Sequence, residues 1–273
     1  MTETVYTASS ELHHPLRFLA DAVGDLRRSP AVAWTLFRSN LQARYRRAWL
    51  GYLWLLLPTL GTAAIGVYLQ SRRIVVTAPT EVPYPVYVLS GTILWQVFAD
   101  ALNVSLQHLT AGRQLITRSR VPHEALVLAG VLEVLLNCAV RLAVLAAVLV
   151  AFAVPVGATV LLVPFGIAGL VLLGLSLGLF AAPAGMLYDD VVRAMTLVTG
   201  FWFFLTPVVY RAPQEGLLRF NPVTPLLDTT RGWLTSGGAT PGFATVAILA
   251  VAALVLAWLL YRLARPHLVA RLG

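Results

Sequence analysis

Three polar residues in the long apolar segment after residue 124 are spaced so that they can act together. Glu133, Asn137 and Arg141 follow at i, i+4 and i+8, which places them on one face of a helix. The Asn137 amide can bridge its neighbours, whereas Glu133 and Arg141 would stand about 12 Å apart along the axis, too far for a direct pair. Such a face can line a polar path through the membrane, or it can form a polar seam between helices. Both interpretations stay open.

Arrangements that support catalysis are not evident in the sequence. The five histidines lack a metal-ligand spacing such as H-E-x-x-H, and no Ser/His/Asp constellation appears. Asp189 and Asp190 fit the acidic start of a helix better than a catalytic dyad. All twenty basic residues are arginine, so the chain has no lysine for a standard phosphate-binding loop or a Schiff base. We predict a chain that is not an enzyme and binds no metal or cofactor itself.

The composition favours lipid as the solvent of this chain. It is 58% hydrophobic and 12% charged, whereas soluble domains are about 25% charged. Several apolar runs reach the roughly 20 residues that cross a bilayer. We predict an all-α membrane protein with six transmembrane helices, at Gly51–Gln70, Val86–Gln107, Ala125–Ala153, Thr159–Ala182, Ala194–Tyr210 and Phe243–Tyr261.

Arginine distribution predicts the orientation of these helices. With both termini in the cytoplasm, the cytoplasmic segments would hold fourteen arginines and the outer loops five, in agreement with the positive-inside rule. The first fifty residues contain no short apolar segment typical of a cleavable signal peptide. We therefore expect a multi-pass protein of the cytoplasmic (inner) membrane, with both termini on the cytoplasmic side.

The residue pattern within region 1–50 predicts an amphipathic helix that lies in the membrane interface. Ser29 and Pro30 resemble an N-cap followed by proline at the first helical position. Beyond them, Trp34 and Phe37 fall near one face at helical spacing, and Arg38 falls on the other. Apolar residues facing lipid and arginines facing headgroups are typical of interfacial helices. An ordinary surface helix of a small cytoplasmic domain is the alternative.

The last outer loop, residues 211–241, is less polar than a solvated loop. It mixes Pro213, Pro222 and Pro225 with two apolar stretches. Short re-entrant helices packed against protein would explain this composition, and a compact cap on the outer surface is the alternative.

Four motifs in this order carry a family resemblance. The residues Arg44-Tyr45-Arg46 through Trp54 resemble the R-Y-R-x-S-x-L-G-x-L-W pattern of the ABC-2-type permeases that export O-antigen, capsule or teichoic acid. Ala48 stands where that family has Ser. Leu115-Ile116 with Val121–Glu124 resembles its L-I-x-K…F-P-x-E. The remaining matches are Tyr188–Val191 with Thr206–Tyr210, where Asp189 replaces the usual Arg, and Asn221-Pro222 followed by Arg231.

The resemblance implies a homodimer that encloses a central conduit, with each subunit docking one ATPase subunit. The partners would be two copies of the nucleotide-binding ATPase, which bind ATP and Mg, a second copy of this chain, membrane lipids and a lipid-linked glycan. No nucleic acid is expected. A short coupling helix would lie within Gly112–Pro122, and its arginines also suit anionic lipid headgroups.

Candidate site residues fall into four groups. Aromatic rings of the second and fifth spans can stack on sugars, although Trp and Tyr are also common at membrane interfaces. The predicted ATPase-coupling residues are Arg113, Gln114, Leu115, Ile116, Arg118, Arg120, Pro122 and Glu124; the interfacial entry comprises Trp34, Arg38, Arg44, Tyr45, Arg46, Arg47 and Trp49; the conduit comprises Trp95, Phe98, Glu133, Asn137, Arg141, Trp202, Phe203 and Tyr210; the outer gate comprises Asn221, Pro222 and Arg231.

The sequence therefore predicts a channel-forming subunit of an ABC exporter for a lipid-linked polysaccharide. Its parts would be the interfacial region 1–50, the six-span domain 51–261 with the gating loop 211–241, and a cytoplasmic tail 262–273. An ABC-2-type exporter of drugs or lipids is one alternative. The other alternative, of a different class, is a membrane enzyme acting on lipid-linked sugars. Such an enzyme would need a cluster of acidic or His residues at a membrane face, and the chain has only twelve acidic residues.

Overall fold

The computed structural model describes residues 15–45, 53–72, 82–112, 121–210, 220–235 and 237–272. Within these ranges all regular structure is helical. The helices are α1 (Pro15–Tyr45), α2 (Leu53–Ser71), α3 (Tyr84–Ala111), α4 (His123–Ala151), α5 (Val163–Leu187), α6 (Asp189–Leu205), α7 (Val223–Trp233) and α8 (Phe243–Leu272), with a 3-10 turn at Ala158–Leu162.

Four of the described helical segments are long and apolar enough to cross a membrane. They are Tyr84–Ala111, His123–Ala151, Ala158–Leu187 and Phe243–Arg271. Trp54–Tyr68 in α2 is a shorter apolar segment, and α6 has 17 residues, about 25 Å of helix. The structure thus confirms a helical membrane protein, whereas the count of six crossings stays a prediction.

Helix α3 lies at the centre and packs most extensively against α5. Glycines allow this close approach: a Cβ added at Gly174 would lie 2.5 Å from the Phe98 carbonyl oxygen, and one at Gly178 would overlap that of Leu102. Small residues at helix interfaces are common in membranes, where close van der Waals packing replaces hydrophobic association. Helices α2 and α4 also pack on α3, and α8 packs on α5.

Helix α1 differs from the prediction, because it does not begin at Ser29. It runs from Pro15 through Pro30 without a break. Proline removes one backbone donor from the helix. The Ser29 hydroxyl donates to the Asp25 carbonyl one turn earlier at 2.7 Å, a local bond that serine can make inside a helix. Phe37 is buried on α4, whereas Trp34 is 53% exposed, so these residues do not share one buried face.

Helix α6 ends five residues earlier than the predicted fifth span. Thr206, at its C-cap, is extended with φ −105° and ψ 138°. A residue before proline is disfavoured in the helical conformation, and Pro207 follows here. Helix α8, in contrast, continues beyond Tyr261 to Leu272, so the described residues of the predicted tail 262–273 are helical.

Contacts between distant segments define two ends of the bundle. At the lower end, His123 of α4 contacts Tyr261 of α8, and Tyr261 contacts Met186 of α5. The upper end joins the start of α3 to the segment after α6, since the Tyr84 hydroxyl donates to the Val209 carbonyl at 3.0 Å. Helix α7 belongs to this upper end, between α5 and α3.

Candidate functional site

A buried ionic cluster occupies the lower end, beside the predicted coupling residues. Arg262 donates through Nη1 to Glu124 Oε1 at 2.5 Å and through Nη2 to Asp25 Oδ2 at 3.0 Å. Trp258 Nε1 lies 3.4 Å from Glu124 Oε1, and Arg265 Nη1 lies 3.7 Å from Asp25 Oδ2. Buried charges are costly unless paired and hydrogen-bonded, so this cluster holds α1, α4 and α8 together.

Of the predicted coupling residues, the structure describes Pro122 and Glu124. Pro122 is the residue before α4, and Glu124 lies in its first turn, where an acidic group is favourable. The partner that Glu124 binds, Arg262, was not among the predicted site residues. The other predicted coupling residues, Arg113, Gln114, Leu115, Ile116, Arg118 and Arg120, lie outside the described residues.

The interfacial residues lie on the outer side of α1. Trp34 and Arg38 are both exposed, while Ala33 and Phe37 pack on Ala125 and Ala129 of α4. An exposed tryptophan next to an exposed arginine is an arrangement that suits lipid headgroups. Arg44 and Tyr45 end α1, but their side chains lie outside the description, as do Arg46, Arg47 and Trp49.

Glu133 and Arg141 of α4 each contact other helices. Asn40 of α1 donates to Glu133 Oε1 at 3.2 Å, and His108 Nε2 of α3 lies 3.4 Å from the same oxygen. Arg141 donates to Asp100 Oδ2 of α3 at 2.6 Å. Contacts of this kind are those that a polar seam requires.

One of these partners could have been sought in the sequence. Asp100 is an acid within the second predicted span, and intramembrane charges usually pair with one another. Asn40 gave no such signal, because its contact with Glu133 depends on how α1 rests on α4. Asn137, the middle residue of the predicted face, is half-buried.

The predicted aromatic residues form one packed cluster between α3 and α6. Ring centroids are 5.2 Å apart for Trp95 and Phe98, 5.4 Å for Phe98 and Trp202, and 5.9 Å for Trp95 and Phe203. Phe98 is fully buried and Trp95 nearly so. Tyr210 lies apart, and its hydroxyl donates to the Phe204 carbonyl at 3.0 Å.

Asn221 connects the start of α7 to the end of α6. Its Oδ1 accepts from Trp202 Nε1 at 3.1 Å and from the Val223 backbone at 3.0 Å. Its Nδ2 donates to Thr206 Oγ1 at 2.8 Å. Pro222 follows as the residue before α7. The two predicted gate residues therefore determine where α7 begins relative to α6.

Arg231, the third predicted gate residue, lies in the last turn of α7 and binds the segment that follows α6. Its Nη2 donates to the Val208 carbonyl at 2.9 Å and to that of Pro207 at 3.2 Å. The guanidinium lies 3.9 Å from the Tyr87 ring centre, a cation–π distance. Gly91 provides the space, because a Cβ there would overlap Nη2.

A cleft of about 460 Å³ opens at the lower end between α3 and α6. Its lining is mixed, with two amide or hydroxyl groups and an acidic and a basic side chain. The lining residues are Gln107, Thr110, Ala111, Asp189, Val192 and Arg193. Within the described ranges, no group of three or more His, Cys, Asp or Glu side chains is arranged to hold a metal ion.

Comparisons with known proteins point to one kind of relative. The chain is 24% identical over 204 residues to an O-antigen export system permease protein RfbA of Klebsiella pneumoniae, covering 72% of this chain and 78% of that protein. It is 25% identical over 202 residues to the protein of the same name in Myxococcus xanthus, covering 71% and 76%. A second Klebsiella pneumoniae RfbA is 22% identical over 204 residues, covering 72% and 78%. No protein-family model matches the chain.

Proposed function

Because the chain is a relative of the ABC-2-type O-antigen export permeases, as its motifs predict, we propose that it is the membrane subunit of a polysaccharide exporter. The observation that carries this proposal is similarity over about 72% of the chain, in a protein with four helices able to span a membrane. The substrate would be a lipid-linked glycan of the O-antigen or capsule type. It would pass through the inner membrane and leave on the outer side without a chemical change.

ATP would be bound and hydrolysed by a separate subunit. A standard phosphate-binding loop needs a lysine that coordinates the phosphates, and this chain contains none. The relatives are named as permeases of an export system, which agrees with a division of labour between two chains. Two ATPase subunits and two copies of this chain would make the complete exporter.

The ATPase subunit would dock at the lower end of the bundle. The predicted coupling segment joins α3 to α4 there, and the ionic cluster around Arg262 supports the start of α4. A displacement of this segment would move α4, and α8 and α1 would follow, because Arg262 of α8 bonds both Glu124 of α4 and Asp25 of α1. This assignment makes the lower end cytoplasmic.

Helix α1 and the upper end would serve entry and exit. Trp34 and Arg38 would contact headgroups on the cytoplasmic side, where a lipid-linked substrate arrives. Asn221 and Arg231 tie α7 to the segment after α6, so movement of α6 would carry α7 with it. Such a linkage suits an outer gate.

A deletion strain tests the proposed function in the cell. We expect finished lipid-linked glycan to accumulate inside and surface glycan to disappear, and the intact gene to restore export. An inactive variant of the partner ATPase, with its phosphate-loop lysine replaced, should give the same phenotype. Normal surface glycan in the deletion strain would contradict the proposal.

Co-purification tests the coupling segment. We expect Arg118→Glu and Arg120→Glu to reduce recovery of the ATPase with the tagged chain at least five-fold. Arg72→Glu makes the same charge change at the upper end and serves as the control. Equal recovery of the ATPase with all three variants would contradict the coupling role of Arg118 and Arg120. The proposed export function would still stand.

A further inference from the structure

The end of α6 and the segment that follows it have hydrogen bonds on every carbonyl group. Seven successive backbone carbonyls, from Phe204 to Tyr210, each accept a hydrogen bond. One donor is a backbone N–H, that of Val208 to the Thr206 carbonyl at 2.7 Å. The other donors are side chains: Tyr210 for Phe204, Asn221 for Leu205, Arg231 for Pro207 and Val208, Tyr84 for Val209, and Tyr87 for Tyr210.

Burial makes these side-chain donors necessary. Irregular backbone at membrane depth is tolerated where protein satisfies its polar groups, because lipid offers no hydrogen bonds. Thr206 and Val208 are fully buried, and Pro207 between them is buried as well. Water therefore does not replace the donors in this structure. The segment 206–210 keeps its non-helical course only while the side chains around it stay in place.

Helix α3 holds this segment with one of its faces. Tyr84, Tyr87 and Gly91 are spaced i, i+3 and i+7, so they lie on the same side of α3. The two tyrosine hydroxyls each donate to a carbonyl of the segment at 3.0 Å. At Gly91 the backbone of α3 itself comes close, since an added Cβ would lie 2.5 Å from the Val208 carbonyl oxygen. The segment therefore rests directly on the first part of α3.

Helix α7 holds the same segment through residues at its two ends. Asn221, just before α7, donates through Nδ2 to Thr206 Oγ1 at 2.8 Å and to the Leu205 carbonyl at 3.2 Å. Arg231, in the last turn, donates to the carbonyls after Thr206, and its guanidinium lies 3.9 Å from the Tyr87 ring centre. Arg231 thus contacts both the segment and an α3 residue that binds it.

We call Tyr84, Tyr87, Asn221 and Arg231 the upper clamp. Its members support one another, since the rings of Tyr84 and Tyr87 stack with centroids 6.4 Å apart and Arg231 lies over Tyr87. Tyr84, Asn221 and Arg231 are at most 9% exposed. Separation of the segment from α3 would break several of these bonds together and leave buried carbonyls without donors, which is costly.

We propose that the upper clamp stays closed throughout transport, so that the start of α3, the segment 206–210 and α7 move as one rigid body. Tyr84 and Tyr87 are then positioning residues of the outer gate, although they lie on α3 and outside the predicted gating loop. The inference rests on the proposed export function, which makes the upper end the outer one. The gate opens by displacement of this whole body, and α7 does not separate from α3.

Distance measurements test the rigid body. Cys138, which is buried, is replaced by alanine, and nitroxide labels are attached at Pro83→Cys before α3 and Phe220→Cys before α7, two exposed positions outside the clamp. The labelled chain, mixed with excess unlabelled chain, is assembled with its ATPase in lipid nanodiscs. We expect the mean label distance to differ by less than about 2 Å between the nucleotide-free and ATP-bound states. A larger difference would overturn the proposal.

Removal of two hydroxyl groups tests the positioning role. Tyr84→Phe/Tyr87→Phe removes both donors and keeps both rings, and Tyr68→Phe makes the same change at an exposed position of α2. In lipid vesicles we expect the double variant to hydrolyse ATP near the parental rate but to export about three-fold less glycan per ATP, because its gate is no longer held to α3. Tyr68→Phe should match the parent. An unchanged ratio of export to hydrolysis in the double variant would overturn the positioning role.

The outcomes separate the clamp from the proposed function. If the double variant does not assemble with the ATPase, the distance measurement on the labelled parent decides alone. An unlabelled Cys138→Ala exporter that transports no glycan would count against the export function. Labels that move apart in an exporter that does transport glycan would overturn only the clamp.

Discussion

Arg262 donates a 2.5 Å hydrogen bond to Glu124 and so joins the last part of α8 to the first turn of α4. Both side chains are buried, and the second nitrogen of the guanidinium binds Asp25 of α1. One arginine therefore connects three helices that are far apart in the sequence. Its position beside the predicted coupling segment makes it the most informative residue for separating stability from transport.

Arg262→Met should destabilise the protein strongly, because it leaves the Glu124 carboxylate buried without its cation. Breaking one partner of a buried pair typically costs about 3–5 kcal/mol. We expect a loss of this size in equilibrium unfolding in mixed detergent micelles. The double variant Glu124→Leu/Arg262→Met should recover part of it. Asp190→Asn, which alters an exposed pair with Arg193, should leave the midpoint unchanged.

Gly91→Ala should disturb the upper end in the same way as removal of Arg231. A Cβ at position 91 would overlap the guanidinium and push it away from the Pro207 and Val208 carbonyls. We expect Gly91→Ala and Arg231→Ala each to lower the thermal unfolding midpoint, with less than additive effect when combined. Gly61→Ala, in open space on α2, is the control. Fully additive losses would show that Gly91 and Arg231 act separately.

Gly178→Ala should separate α3 from α5. The added methyl group would overlap the Leu102 carbonyl, which is backbone and cannot rotate away. Overpacking of this kind typically costs about 1–3 kcal/mol. Gly200→Ala on α6 has no atom within 4 Å of the new Cβ and should be neutral or slightly stabilising. Unfolding in mixed micelles measures both, and equal stability of the two variants would be incompatible with the close packing.

Glu133→Ala distinguishes a polar seam from a conduit wall. Since Glu133 accepts from Asn40 and lies beside His108, we expect its loss to lower stability by about 1–3 kcal/mol. Export per assembled exporter should remain near the parental rate. Glu133→Gln keeps an acceptor and should be milder. A variant that assembles normally but exports no glycan would show instead that Glu133 faces the substrate.

Asn221→Leu should loosen the start of α7, because the Asn221 side chain bonds Trp202 and Thr206 at the end of α6 and the Val223 backbone in α7. We expect faster proteolysis between these helices and a lower unfolding midpoint. Thr62→Val, at an exposed position of α2, is the matched polar-to-apolar change. Equal protease resistance of both variants would remove Asn221 from this role.

Much of the architecture was predictable because it depends on local sequence. Runs of apolar residues locate α3, α4, α5 and α8 to within a few residues, except at the C-terminal end of α8. The motifs also predicted a resemblance to O-antigen export permeases, and three relatives of that name are similar over about 72% of the chain. Local rules failed at Ser29-Pro30, where a cap signal lies inside a continuous helix. Packing of α1 on α4 stabilises the helix enough to offset the backbone hydrogen bond that Pro30 cannot make.

The site was less predictable, since its contacts depend on how each helix is rotated. Glu133 and Arg141 share one face of α4, as their spacing predicts, but which residues face them is a property of α1 and α3. The aromatic rings of α3 and α6 pack largely on one another, and their contact with a substrate stays a prediction. Equal spacing is compatible with any rotation of a helix about its axis.

By itself, the sequence determined the apolar character of the chain, its helical class and the approximate helix limits, because all three follow from composition and short-range order. Tertiary structure decided which polar groups are already paired. It joined Asp25 to Arg262 and Asp100 to Arg141, and it placed Gln107 in the lining of the cleft between α3 and α6. The physical reason is that a charge in a helix bundle acquires its role from the neighbour that packing brings to it, and that neighbour can be more than two hundred residues away.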